Sequence, residues 1–213
     1  MLIPTSYLPP IEYVALLTGT PSATVEVCET FPKQTFRNRA EIMTSNGVMR
    51  LSVPVVRTGG NHTATGDIGI SYAERWNVQH IRAIESAYNN APYFMYLWDG
   101  LKEILNVRHD RLTELNSKIM EYLLSKLSIR CRLRYSEEYV KPEDGSVNDM
   151  RGMFARKSTV QRDVFTPYYQ VWNDRYAFCP NLSIIDLLFN MGPDESRGYL
   201  KRLSTKKWTV DKI

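Results

Sequence analysis

The sequence predicts a mixed α/β fold in a single domain, with a strand-rich N-terminal third, a helical middle, and a strand and a helix at the C-terminal end. Two of the signals are periodic. Val25 and Val27 alternate with Thr24 and Glu26, and Met49, Leu51, Val53 and Val55 fall on one side of the chain after Asn46-Gly47, as half-buried strands require. Val78, Ile81, Ile84 and Tyr88 recur at three- and four-residue spacing, as do Leu112, Leu115, Ile119 and Leu123, as one apolar helix face requires. The third signal is size and composition. A chain of 213 residues, 43% hydrophobic and 23% charged, supports one well-packed core and is short for two.

The elements follow in order. A short helix is expected from Ile11 to Leu17, stopped by Gly19. Pro54 cannot donate to a ladder, so the strand after the Asn46-Gly47 turn is an edge or ends there. Ser71 and Glu74 have capping-box spacing and predict a helix start. Asn89-Asn90-Ala91-Pro92 breaks that helix and opens the next, with Leu97, Leu101, Ile104 and Leu105 inward, and a third helix begins near Asp110. Ile129, Cys131 and Leu133 alternate with Arg130, Arg132 and Arg134, a strand with one basic face. Residues 141–157 read as a polar loop. A last strand is expected before Pro180, followed by a helix capped by Ser183 with Asp186 that ends at Gly192-Pro193. The domain is expected over residues 1–203, with 204–213 as a tail.

Several function classes are excluded or demoted. No apolar stretch approaches a bilayer span and no transmembrane segment is predicted. No signal-peptide pattern opens the chain, and Cys28, Cys131 and Cys179 are odd in number and unpaired in spacing. Both point to a cytoplasmic protein with neither disulfide framework nor zinc site. A net charge of +4 with scattered basic residues gives no nucleic-acid footprint. Walker, GxGxxG, GxSxG and HExxH motifs are missing, so no cofactor is named by the sequence and no metal ligand set is predicted.

Candidate chemistry is dispersed. His80, inside the second helix, can be a general base or a helix-face histidine bonded to a carbonyl. Arg37-Asn38-Arg39, close behind Lys33, can clamp a carboxylate or phosphate, or form a solvated charge run. The Arg130/Arg132/Arg134 face can guide an anion or protect an edge strand. Tyr168, Tyr169, Gln170 and Trp172 can line a sugar pocket or pack the core. His62 and His109 read as loop residues.

Collinear fragments of these segments resemble the bacterial WbqC-like family. They are Tyr7-Leu8-Pro9-Pro10 with Tyr13, Arg37-Asn38-Arg39 before Val53-Pro54-Val55, and Trp76-x-x-x-His80. Tyr88 through Pro92 to Phe94, Asn116, Asp149-x-Arg151 with Lys157, Tyr169-Gln170-Val171, and Phe178 through Asn190 complete the set. Ser6 departs from the Gln-Pro pair that often precedes the tyrosine, which weakens any transfer of N-terminal contacts. Members of the family are often encoded in surface-polysaccharide gene clusters, and transfer of glycine or another amino acid to a sugar amine has been proposed. The resemblance therefore implies a transferase acting on a nucleotide- or lipid-linked sugar. His80, Arg39 and Asn38 are the expected catalytic residues. Arg37, Arg151, Lys157, Asp149, Tyr169, Gln170 and Tyr7 are the expected substrate contacts, and His80, the arginines and Arg151 are expected to share one pocket. The alternative is a non-catalytic carbohydrate- or protein-binding subunit of an assembly complex.

The cysteine spacing yields a direct expectation. Three equivalents of thiol react with a colorimetric disulfide reagent in the denatured, unreduced protein, and fewer than three would reveal a disulfide.

Overall fold

The fold turns on how its first few residues are built into a sheet and its next few into a helix start. The structure, a computed structural model, describes residues 1–141, 148–154 and 164–205. Strand β1 (Leu2–Pro4) is followed by helix α1 (Ile11–Thr18), which Gly19 terminates, and by β2 (Ser22–Glu26), parallel to β1 with Ile3 opposite Val25. The hairpin β3 (Arg39–Thr44) and β4 (Gly47–Ser52) turns tightly because Gly47 takes a positive φ of 93°. Two-residue strands β5 (Val55–Val56) and β6 (Gly69–Ile70) pair beyond Pro54, where the longer strand stops as expected.

Helices α2 (Trp76–Tyr88), α3 (Phe94–Asn106) and α4 (Leu112–Lys126) fill the middle. The predicted stripe of α4 is wholly buried at Leu112, Leu115, Ile119 and Leu123. On α2 the inward face is Trp76, His80, Ile81, Ile84, Ala87 and Tyr88, with Val78 only half-buried. The chain then returns as β7 (Arg132–Tyr135), parallel to β2, giving the strand order β1-β2-β7 with β7 at one edge. Leu133 and Cys131 pack toward the core while Arg130, Arg132 and Arg134 point outward. Residues 148–154 cross over β1, bonded through Leu2 to Asn148 and Met150, and end in a short 3-10 turn, Arg151–Phe154. Helix α5 (Ile184–Ser204) packs along α1.

The starts of α1 and α5 cap one another. Neither helix is capped by the side chain of its own N-cap residue. Instead the Ile11 amide donates to the Leu182 carbonyl, the Glu12 amide to Asn181 Oδ1, and the Ile184 amide to the Pro9 carbonyl. Ser183 Oγ completes the exchange by donating to the Leu8 carbonyl at 2.9 Å. Orphan amides of two helix ends are thus satisfied across the chain, at 170 or so residues of separation. Glu12 is buried at this junction with neither carboxylate oxygen bonded among the described residues. Burial lifts its carboxyl to about 7, the nearby Asn181 side chain offsetting part of that.

Four expectations are corrected. Ser71 does not start α2, whose N-cap is Arg75; the Ser71 amide is held by the Pro54 carbonyl beside β6, too early to cap. Ser183 does mark the start of α5, but its hydroxyl bonds Leu8 and leaves the cap to the chain exchange above. No strand precedes Pro180 among the described residues. Residues 171–175 form turns, and the Gln170 side chain stands in for a strand partner, accepting from the Cys179 amide and donating to its carbonyl. Finally, α5 kinks at Gly192-Pro193 but resumes and runs to Ser204, because Pro193 fits the first position of a new helical segment. The tail expected from 204 lies outside the described residues beyond Thr205.

Gly192 holds that kink with φ 76° and ψ 171°, a conformation that only glycine adopts readily, and an added Cβ would lie 2.6 Å from the Tyr93 ring. Gly192→Ala is expected to cost roughly 2–4 kcal/mol in urea denaturation. A loss below about 1 kcal/mol would show that the kink does not depend on glycine.

Candidate functional site

Parallel strands in α/β proteins present ligands at their carboxyl ends, and here those ends carry an ionic cluster. Glu26, the last residue of β2, is wholly buried. Its Oε1 accepts from the Cys28 amide at 2.7 Å and Ser136 Oγ at 2.8 Å, and its Oε2 from the Val140 amide at 2.9 Å. Arg151 Nη1 stands 3.6 Å from Glu26, while the same guanidinium forks onto Asp149 through Nε (3.0 Å) and Nη2 (2.7 Å) and lies 5.3 Å from the Tyr139 ring centre. Arg37, 3% exposed, donates through Nε to Glu29 at 2.8 Å. Burial pulls the Arg37 guanidinium down and Glu29 offsets it, whereas hydrogen bonding to Asp149 raises Arg151 and lowers Asp149.

Helix α4 pins this cluster to β1. Asn116 Nδ2 donates both to the Arg37 carbonyl (2.8 Å) and to Thr5 Oγ1 (3.0 Å). A cavity of about 10 Å³, room for one water, is lined by Thr5, Ser6, Tyr13, Asn116 and Tyr135.

The segment 34–39 is a wall between this cluster and a second, larger hollow. Ser6 Oγ and the Tyr7 amide both donate to the Phe36 carbonyl, fixing the segment against the end of β1. Arg37 then turns inward, and Arg39 projects from the first position of β3 to the other side. The hollow, about 270 Å³, is lined by Gln34, Thr35, Phe36, Arg39, Glu41 and Arg50. Cross-strand register explains the set. Arg39 faces Ser52 and Glu41 faces Arg50, so the outward positions of the hairpin share one face. Arg50 grips Glu41 through Nε (3.2 Å) and Nη2 (2.7 Å). Two guanidiniums, a carboxylate and a side-chain amide therefore meet in an open cavity, a donor set suited to an anion.

His80 lies elsewhere. It is 6% exposed, packed 5.2 Å from the Trp76 ring centre, and its Nδ1 is 2.9 Å from the hydroxyl of Tyr7, itself fully buried. The Ser52 carbonyl, which can only accept, engages the ring as well. That assigns the proton to Nε2 and leaves Nδ1 to accept from Tyr7. Both ring nitrogens are thus occupied, and desolvation pulls the imidazole down to about 4. The histidine ties β4 to Tyr7 behind the hairpin whose other face carries the arginine-lined hollow.

The structure therefore brings Arg37, Arg151 and Asp149 together, and His80 with Tyr7, but the hollow lined by Arg39 includes neither His80 nor Arg151. Asn38 closes a two-bond ring with Val53, donating Nδ2 to its carbonyl and accepting from its amide. Gln170 is buried and donates to Asp186, which also accepts from Tyr88 and Tyr168. Tyr169 is exposed, and Lys157 lies outside the described residues. Sequence reasoning missed Glu26, Glu29, Glu41 and Arg50. The only available signal was the hairpin turn, which places Glu41 and Arg50 near one another.

The WbqC-like protein family matches residues 5–157. The chain is 30% identical over 199 residues to the uncharacterized protein Rv1507c of Mycobacterium tuberculosis, covering 80% of this chain and 84% of that one. No solved structure matches significantly.

The state of His80 is open to measurement. A folded value of about 4 against 6.5 when unfolded means the unfolded chain binds this proton first as pH falls. The stability contributed by the neutral imidazole is thus complete above pH 6.5 and declines toward pH 4, by roughly 3 kcal/mol in all. The His80 ring resonances in NMR are expected to stay unchanged from pH 8 to pH 5; a midpoint near 6.5 would contradict the buried, doubly bonded ring.

Proposed function

The chain belongs to the WbqC-like protein family, and from that premise we propose that it is a transferase in surface-polysaccharide assembly, acting on a nucleotide- or lipid-linked sugar. The single observation that carries the reading is the hollow between residues 34–36 and the hairpin, where Arg39 and Arg50 flank Glu41. Forked guanidiniums at its walls suit a carboxylate or phosphate of the substrate. In the proposed step, a sugar amine attacks the acyl carbon of an activated ester or thioester of glycine or another amino acid. The new C–N bond forms, the donor's leaving group departs with the bonding electrons, and the amine proton passes to Glu41. Arg39 and Arg50 stabilise the oxyanion formed on the way. His80 serves here as a positioning residue that holds β4 through Ser52, and Arg37, Glu29, Asp149 and Arg151 brace the wall from behind.

The binding-subunit alternative rested on an aromatic platform near Trp172. The polar edges of two rings are engaged within the fold: Trp172 Nε1 donates to the Ala87 carbonyl, and the Tyr168 hydroxyl to Asp186, both rings being half-buried. Of this group Tyr169 is exposed.

Mass spectrometry of polysaccharide precursors from cells with and without the protein tests the proposal. A mass difference equal to one acyl group is expected, and Arg39→Ala/Arg50→Ala is expected to lower the modified fraction about tenfold or more at unchanged melting temperature. Identical precursors in the presence and absence of the protein would overturn it.

A further inference from the structure

The strongest unassigned feature is a concavity at the opposite end of the three-stranded sheet. It measures about 580 Å³ and is lined by Pro21, Ser22, Arg130, Cys131, Arg132 and Arg134. The ionic cluster described above sits at the carboxyl end of β2, and Ser22 opens that strand about 13 Å away. We propose that this concavity is an anion site for a diphosphate, or for two phosphates presented side by side, distinct from the hollow at Arg39.

Three observations support the assignment. First, among the described residues Arg130, Arg132 and Arg134 make no ion pair, and all three are exposed at one concavity. Second, their geometry is set by the strand. Arg132 and Arg134 alternate on β7 and project to the same side about 6.6 Å apart, close enough for one anion to bridge them, and Arg130, two residues before the strand, lines the same concavity. Ser22, paired with Arg132 in the parallel register, adds a hydroxyl to the floor. Third, the residue type is specific. Edge protection calls for an isolated charge, most often lysine. A row of like charges over a concavity repels itself until an anion binds, and arginine's planar fork matches phosphate oxygens in pairs.

A diphosphate of this kind comes either free, as on a nucleotide, or in a lipid headgroup, and one experiment separates the sources. Binding of radiolabelled inorganic diphosphate is measured by equilibrium dialysis in the Arg39→Ala/Arg50→Ala protein, which removes the other arginine-lined hollow from the result. About one equivalent is expected to bind, weakening with added salt. Adding Arg130→Gln, Arg132→Gln and Arg134→Gln, all exposed positions, is expected to weaken binding at least tenfold with circular dichroism unchanged. In a parallel arm, flotation with phosphatidylcholine vesicles containing one fifth phosphatidylglycerol, against pure phosphatidylcholine, reports the source. Flotation that diphosphate competes away assigns a lipid phosphate, and dialysis binding without flotation assigns a free one. Should the glutamine substitutions unfold the chain, lysine at the three positions keeps the charge, and a drop in affinity there still reports loss of the forked contacts. No binding by the Arg39→Ala/Arg50→Ala protein, or equal binding after the glutamine substitutions, overturns the proposal. Failure of the transferase reading leaves this result untouched, since dialysis measures no turnover.

Discussion

Two helix starts satisfying one another is the constraint on which the rest of this structure depends. Residues 8–12 and 181–184 trade amides and carbonyls, so the first amides of α1 are satisfied by the chain's last quarter. The exchange brings two positive helix ends together, an unfavourable pairing that Asp186, in the first turn of α5, offsets. Asp186 then gathers Tyr88 from the end of α2, Tyr168 and Gln170. One junction thereby fixes α1 against α5 and α2 against the segment before α5. The Ser183 amide also bonds the Glu41 carbonyl, so the edge of the hairpin is set by the same junction.

From that frame follows a division of labour among arginines. Burying an ion pair costs more in desolvation than its attraction returns unless hydrogen bonds complete the shell. Arg37 and Arg151 meet that condition with Glu29 and with Asp149 and Glu26, and Asn116 closes the backbone beside them. Their charge is spent internally. It is the outward partners in the alternation, Arg39 on β3 and Arg50 on β4, that face a cavity. A single stretch of five residues, 35–39, thus decides which cations hold the fold and which meet solvent.

Much of the architecture was legible because periodicity speaks directly to burial. The α4 stripe and the β7 alternation are local signals, and they appear in the structure where the spacing puts them, whereas on β2 the alternation holds only as far as Val25. The misses have a common cause. Ser71, Ser183 and the segment before Pro180 were read by local chemistry, yet each is bonded to a distant segment or to a side chain acting as a strand. The site was less legible still. His80 carried the strongest chemical signal and lies beneath Trp76 and Tyr7, because the same face of α2 that looks amphipathic in sequence is pressed against the hairpin. Glu26 was read on the polar side of a strand, but residues 148–154 and Arg151 cover that side. Arg50 and Glu41 became partners only once the turn kept Ser45 and Asn46 out of the ladder and put Gly47 opposite Thr44.

The unbonded carboxylate at the helix junction gives the molecule a proton balance. Glu12 keeps its proton to about 7 in the folded chain and to about 4.5 in the unfolded one, so folding between those values takes up a proton. Stability from the neutral carboxyl is complete below pH 4.5 and is withdrawn as pH rises toward 7. His80 works in the opposite sense, releasing a proton on folding between about 4 and 6.5. Over the interval they share, one uptake matches one release, and these two groups leave the folding equilibrium nearly indifferent to pH. Two groups in different parts of the core, each costly to charge, act together as an internal buffer of the fold.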